Sequence, residues 1–196
     1  MNIVDRAKNI ILTPKTEWTA IAAEEPNVGQ IISGYVIPLA LIPAVAAMIG
    51  YGLIGRGPVS SFTWGIAMAI IGFVVALGGV YLTAYVVDML APNFGSQKNF
   101  GRAMQLVAYS YTPAWVAGIL NIVPVLGVLV LIASIYGLYL MYLGFPHTMK
   151  TPDDKVVVYM VVSIVVLVVV YFVLTALLTA IVFGVFGLSA MSMIGG

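Results

Sequence analysis

Cysteine is absent from the 196 residues, and histidine occurs once. Disulfides, thiolate metal ligands and cysteine nucleophiles are thereby excluded, and His147 has no second imidazole or thiolate with which to share a metal. Charge is almost as scarce: 8% of residues are charged and 62% are apolar, against about a quarter and about half in ordinary soluble domains. Water is therefore not the main solvent of this chain. Its eight basic residues form no patch dense enough for a nucleic-acid footprint, so nucleic acid is not an expected partner. No Gly-rich phosphate loop, nucleophile elbow or zinc-helix signature is present either.

What the chain has instead is a series of long apolar runs separated by short polar gaps. This is the pattern of an all-α, polytopic membrane bundle that fills nearly the whole length. Residues 1–27 precede it. They carry Asp5, Arg6, Lys8, Lys15, Glu17, Glu24 and Glu25 and no apolar core of signal-peptide length, so no cleavage is expected. Ile3, Ala7, Ile10 and Ile11 recur at spacings of three and four, with Asp5, Arg6, Lys8 and Asn9 on the remaining positions, which predicts a short amphipathic helix. Thr13-Pro14 reads as the start of a second helix, with Thr as N-cap and Pro at the first helical position, running through Trp18 to about Glu25. Both helices are expected on the bilayer surface, with the Trp18 ring at headgroup level and its N–H wet.

Five spans are expected in a membrane domain covering residues 28–188, at about 28–54, 62–90, 103–120, 125–145 and 156–188, with 189–196 as a short tail. Pro38 and Pro43 should kink the first span, since each removes a backbone hydrogen bond and crowds the preceding turn. Gly55 to Ser61 is the turn that follows. Gly72, Gly78 and Gly79 allow close helix approach in the second, and Ala91 to Arg102 is a loop. The third span is short and holds the polar run Tyr109 to Pro113. Asn121 to Pro124 leaves only a tight turn, so the fourth span returns antiparallel to the third. The last run is 33 residues without a charge, roughly 50 Å of helix against a hydrocarbon core of about 30 Å, and should tilt or end near Gly184. Seven basic residues (Arg6, Lys8, Lys15, Lys98, Arg102, Lys150, Lys155) fall on one side of this topology and Arg56 alone on the other. Basic residues mark cytoplasmic loops, which puts the N-terminus in the cytoplasm and the C-terminus on the opposite side of a plasma membrane.

Three short motifs resemble those of the Yip family, the Ypt/Rab-interacting membrane proteins, and especially its bacterial inner-membrane branch. Ala108-Tyr109-Ser110-Tyr111-Thr112-Pro113 looks like the family's Gly-Tyr-x-x-x-Pro signature, with Ala108 where glycine is common. Leu143-Gly144-Phe145-Pro146 is similar to the Gly-x-Pro that closes the fourth span, and Pro14-Lys15-Thr16-Glu17-Trp18 resembles the N-terminal Pro-x-x-x-Trp segment. The resemblance implies a five-span helical protein that works by binding. This chain lacks the long N-terminal region and the Asp-Leu-Tyr-Gly-Pro motif of eukaryotic members, so binding of small GTPases is not carried over.

The candidate functional or packing residues are Trp18, Tyr81, Tyr85, Asp88, Tyr109, Thr112, Pro113, Gly144 and Pro146. Asp88 is the one acidic residue placed within a span, and an ionisable group there is a functional hypothesis by default. At its depth it is expected to reach headgroup water, Lys98 or Arg102; the alternative is a proton or cation relay with Tyr81 and Tyr85, which share its face at spacings of four and three. Ser110 and Thr112 are expected to bridge helices and repair the break at Pro113, with the lining of a cavity as the alternative. Glu24-Glu25 and Asp153-Asp154 lie beside prolines and read as solvated turns. One Asp, one loop His and scattered hydroxyls do not assemble a catalytic set. The expected function is thus non-enzymatic, with no cofactor and no metal: organising or binding membrane proteins or lipids, in contact with the bilayer and with a membrane-protein partner or a homo-oligomer. The alternative is a small transporter, channel or lipid-moving protein whose path is lined by Asp88, Tyr85, Tyr109 and Thr112 between spans two and four.

Overall fold

The structure, a computed structural model, describes residues 2–54 and 62–173. The turn holding Arg56, the last fifteen residues of the expected fifth span and the 189–196 tail lie outside the described residues. Helices α1 (Ile3–Leu12) and α2 (Pro14–Ala23) come first. Then follow α3 (Val28–Ile54) and α4 (Phe62–Leu90), the latter extended by a 3-10 turn to Phe94. After these come α5 (Phe100–Ser110), α6 (Thr112–Ala117), α7 (Gly127–Thr148) and α8 (156–173). No strand occurs among the described residues, so the protein is an all-α bundle.

Four stretches are long and apolar enough to cross a membrane: Val28–Ile54, Phe62–Phe94, Gly127–Thr148 and Asp153–Val173. Their outward faces are mostly apolar, for example Val74 and Val75 on α4 and Leu131, Ile132 and Ile135 on α7, all more than half exposed. Lipid, which has no hydrogen bonds to offer, is the environment such a surface suits. The prolines of α3 lie in a regular α segment, Ile37–Ile49, flanked by π-helical turns at Ile32–Val36 and Gly50–Ile54. The wider turn lets the Ile37 amide reach back to the Ile32 carbonyl just ahead of Pro38, so the distortion proline imposes is taken up there.

The expected third span is not one helix. It breaks at Tyr111 into α5 and α6 and finishes in a 3-10 turn, Gly118–Ile122. The pieces together still run the length of the bundle. Gly118 rests on Pro43, whose Cβ stands 2.5 Å from where a side chain on Gly118 would begin, and the Asn121 carbonyl presses on Gly50 near the far end of α3. Because Pro113 stops the helix, no single element here is long enough to qualify as a crossing. α7 also differs from expectation at its end: it continues through Pro146 to Thr148 rather than stopping at Phe145.

α1 and α2 do not lie free on a surface. They close over one end of the bundle, with α2 packed on α7 and α1 touching α5 and α6. Ile10, Trp18 and Ile21 are fully buried there. The small amphipathic faces are enough because they meet preformed helix ends, and burying side chains of this size contributes about 1.5–3 kcal/mol each. The same end holds two mutually pinned loops. The Gln97 amide donates to the Met149 carbonyl (2.9 Å), and Ser96 Oγ donates to Thr151 Oγ1 (2.8 Å). The core is thickest beneath this cap, where every residue from Ala103 to Ser110 is buried.

Candidate functional site

Beneath the cap lies a buried polar and aromatic knot, built by α1, α2, α3, α5, α6 and α7. Arg6, on α1, is 5% exposed, and so is Glu17 on α2. Arg6 Nη1 donates to Glu17 Oε1 at 2.6 Å, and Nη2 donates to Glu24 Oε1. These are the ion pairs found among the described residues. The Arg6 guanidinium also stands 5.4 Å from the centre of the Tyr109 ring, within cation–π range. Burial works against its charge, but the hydrogen bond to Glu24 and the surrounding Tyr109 and carboxylates outweigh it and hold the pKa above the ordinary arginine value. Arg6 is therefore a permanent cation that must keep its partners.

The expectation for these residues is corrected here. Glu24 is no free solvated turn, since it pairs with Arg6, although its side chain remains 45% exposed; Glu25 is exposed. Arg6, expected on the polar side of α1, borders the apolar stripe three residues after Ile3 and four before Ile10, and the structure buries it with Ala7 and Ile10. A cation beside that stripe signals a waiting partner. Glu17 within α2 and Glu24 at its C-cap answer it.

The quoted motifs meet in this knot. The Trp18 ring contacts that of Tyr109 edge-on at 6.4 Å, and Tyr35 meets Tyr109 edge-on at 4.8 Å. Gly144 lies directly against the indole: a Cβ there would stand 2.7 Å from Trp18 Cζ2, 2.8 Å from Cε2 and 2.5 Å from Leu106 Cδ1. Glycine is the residue that lets α7 approach this closely. The wet position expected for Trp18 is thus overturned. It is fully buried, and its Nε1–H has no partner among the described residues. Packing against Gly144, Leu106 and Tyr109 decides its place.

Pro113 has no N–H to give the carbonyl four residues earlier, which belongs to Tyr109. Thr112 Oγ1 donates to that carbonyl at 2.7 Å. With its proton used there, Thr112 Oγ1 accepts the Tyr35 hydroxyl, also 2.7 Å away. The chain Tyr35–Thr112–Tyr109 carbonyl thus restores what proline removes, and ties α3 to the break. Tyr35 was not among the sequence candidates; a lone tyrosine in an apolar span carries no pattern that points to it. Pro146 is half-buried inside α7, where Thr148 Oγ1 bonds the Gly144 carbonyl (2.9 Å).

The remaining candidates do not join the knot. Tyr81 and Tyr85 are 54% exposed on the outside of α4, Tyr81 against the Phe100 ring at 5.2 Å. Asp88 is turned inward and 8% exposed, so the three do not share a surface. It pairs with neither Lys98 nor Arg102; its Oδ1 has no hydrogen-bond partner among the described residues. Arg102 is committed elsewhere, donating to the Glu24 carbonyl at 2.7 Å and to Gln105 Oε1 at 3.1 Å. It fastens the start of α5 to the end of α2. A hollow of about 390 Å³ opens beside Arg6, bordered by Glu25, Asn27, Gln30, Tyr35 and Gln105. No group of three or more His, Cys, Asp or Glu suited to a metal occurs among the described residues.

Comparison with known proteins places these features in a family. The chain is 27% identical over 142 residues to the inner membrane protein YohC of Escherichia coli K12, covering 68% of this chain and 73% of that one. The YohC of E. coli O6:H1 strain CFT073 matches to the same extent. No solved structure matches. The family profile of the Yip1 domain matches residues 8–177, a region that takes in Trp18, Tyr109 to Pro113 and Gly144 to Pro146, and the chain belongs to the Yip1-domain family of membrane proteins.

Proposed function

We propose that this protein is a non-catalytic membrane organiser that crosses the bilayer five times, with the broken α5–α6 pair as its third crossing and the capped end in the cytoplasm. The cap holds or recruits other membrane components. The observation that supports this is the clamped cap itself. Its buried charges, Arg6 and Glu17, are paired internally with each other and with Glu24, while its outer face is left to others. Val4, Lys8 and Leu12 recur every fourth residue on α1, with Val4 65% and Leu12 66% exposed, and exposed Lys15 follows. Two apolar side chains beside two lysines suit an acidic membrane surface or the juxtamembrane part of another membrane protein. The seven basic residues of the capped end support the cytoplasmic assignment; a reporter fused after Gly196 that is active only in the cytoplasm would overturn it.

The test is affinity capture of tagged full-length protein from native membranes in an extracting polymer, comparing wild type with Val4→Ser/Leu12→Ser. Deleting α1 and α2 would expose Tyr109 and Gly144, so substitutions on the outer face are the cleaner probe. A stoichiometric protein or lipid class retained by wild type and lost in the variant is the expected result. Identical capture by both would sink the proposal.

The transport reading retains one supporting observation, a cavity among α4 to α8. Asp88, Tyr85, Tyr109 and Thr112, expected to line such a path, do not border it.

A further inference from the structure

That cavity has a volume of about 450 Å³, within the size range of small-ligand sites. Its walls come from α4, the α5–α6 break, α7 and α8, and no charged side chain among the described residues borders it. Most of its surface is apolar: Val87, Ala114, Leu131, Leu138, Ile164 and Leu167 are among the lining residues. Five hydroxyls also face it, from Thr83, Ser110, Tyr111, Ser134 and Ser163.

These hydroxyls divide into two kinds. In a helix, Ser and Thr ordinarily donate to the carbonyl one turn back. Thr83 does so to Gly79 (2.6 Å), Ser134 to Val130 (2.8 Å), and outside the cavity Ser33 to Gly29 (2.7 Å). The Tyr111 hydroxyl lies 3.4 Å from Thr83 Oγ1, whose own proton is already used. Ser110 and Ser163 break the pattern. They are 3% and 2% exposed, both border the cavity, and neither Oγ has a partner among the described residues. One stands at the end of α5 and the other on α8, so two unpartnered hydroxyls lie in the cavity wall on different elements, each a side-chain rotation away from the space.

Their depth limits the occupant. Ser110 lies ten residues beyond Phe100, and Ser163 eight beyond Lys155. At 1.5 Å per residue these are about 15 and about 12 Å below the capped end, near the middle of a hydrocarbon core about 30 Å thick. Phospholipid headgroups do not reside there. Beside the cavity, Leu131 and Ile135 are 64% and 66% exposed, so what lies outside is lipid.

We propose that this cavity binds an uncharged, lipid-soluble molecule that carries carbonyl oxygens on an apolar body, with the Ser110 and Ser163 hydroxyls donating to those oxygens. A quinone ring and the ester pair of a diacylglycerol both have this chemistry. The absence of lining charge excludes an ionic ligand, and the two donors give the site a preference over plain hydrocarbon, which has no acceptor. The site is separate from the outer face of the cap and does not depend on what that face binds.

The experiment uses full-length protein in vesicles of phosphatidylethanolamine and phosphatidylglycerol, with two photoactivatable probes, a diazirine-bearing alkyl quinone and a diazirine-bearing diacylglycerol. Crosslinked peptides are mapped by mass spectrometry. The expected result is saturable labelling of α6 or α8 by one probe, competed by its unlabelled parent and reduced at least tenfold in Ser110→Ala/Ser163→Ala. That double variant removes two unpartnered groups and should fold. Ala114→Phe, which fills the space and keeps both hydroxyls, should abolish labelling and serves as the second check. Saturable labelling by the quinone alone or the diacylglycerol alone identifies the source. Non-saturable labelling by both, or saturable labelling unchanged in both variants, overturns the proposal.

Discussion

Gly144→Ala is the smallest change that tests how the cap is held. The added methyl would stand 2.7 and 2.8 Å from two atoms of the Trp18 ring and 2.5 Å from Leu106 Cδ1. Comfortable carbon contacts lie at about 3.5–4.0 Å, so roughly 1 Å must be found. Leu106 can turn a methyl aside. Both side chains are fully buried, but the rigid indole cannot bend away from the methyl and has Tyr109 on another side. Overpacking of this kind costs about 1–3 kcal/mol, and for a chain of this length each kcal/mol lowers the melting temperature by about 2–4 °C. The expected drop is therefore about 2–12 °C, read as loss of the monodisperse peak by fluorescence-detected size exclusion after heating. Trp18→Phe removes the ring atoms nearest Gly144. Alone it should destabilise by opening a gap, and combined with Gly144→Ala it should cost less than the two single losses added together, because the methyl fills that gap. A neutral Gly144→Ala, or strict additivity of the pair, would refute the contact.

Three further outcomes follow from the same geometry. Arg6→Met should destabilise by about 3–5 kcal/mol, since it leaves Glu17 buried without its cation, whereas Glu24→Gln, at a side chain 45% exposed, should cost under about 1 kcal/mol; equal losses in thermal unfolding would count against this division. Thr112→Val should cost about 1–3 kcal/mol by stranding the Tyr35 hydroxyl and the Tyr109 carbonyl, and Tyr35→Phe on that background should cost little more, as a double-mutant cycle would reveal. Asp88→Asn should leave thermal stability unchanged or higher, since Oδ1 has no partner to lose; a fall of several degrees would show that the carboxylate is held by something beyond the contacts described.

The apolar runs and their turns were legible because lipid imposes a rule on every residue at once: long uncharged stretches can only be helices. Hence the helical, membrane-suited character of α3 and α4 could be read from composition. The third expected span differs in form: the chain breaks at Tyr111, beside Pro113, into two short helices, and a count of apolar residues cannot see that break. The ends of the chain obey a weaker rule. An amphipathic helix needs some apolar surface to cover it, and a bilayer and a bundle end satisfy that need equally well. The pattern in α1 and α2 alone favours neither, and in the structure both helices pack on the bundle.

The residue that could have decided between them was Arg6. A cation beside an apolar stripe lying on a bilayer would simply extend to the headgroups. A cation beside that stripe, followed by one carboxylate in the next helix and another at its C-cap, describes a covered face with its counter-charges supplied from inside. The cost of leaving Glu17 and Arg6 apart beneath a closed cap is what fixes the register of α1 on α2, and α2 in turn sets Trp18 against Gly144. Three motifs distant in sequence are therefore one structural device: the proline break in the third span creates a place for Tyr109 and Tyr35, the glycine of α7 admits the indole, and the ion pair holds the lid of helices in the one position where both can be used.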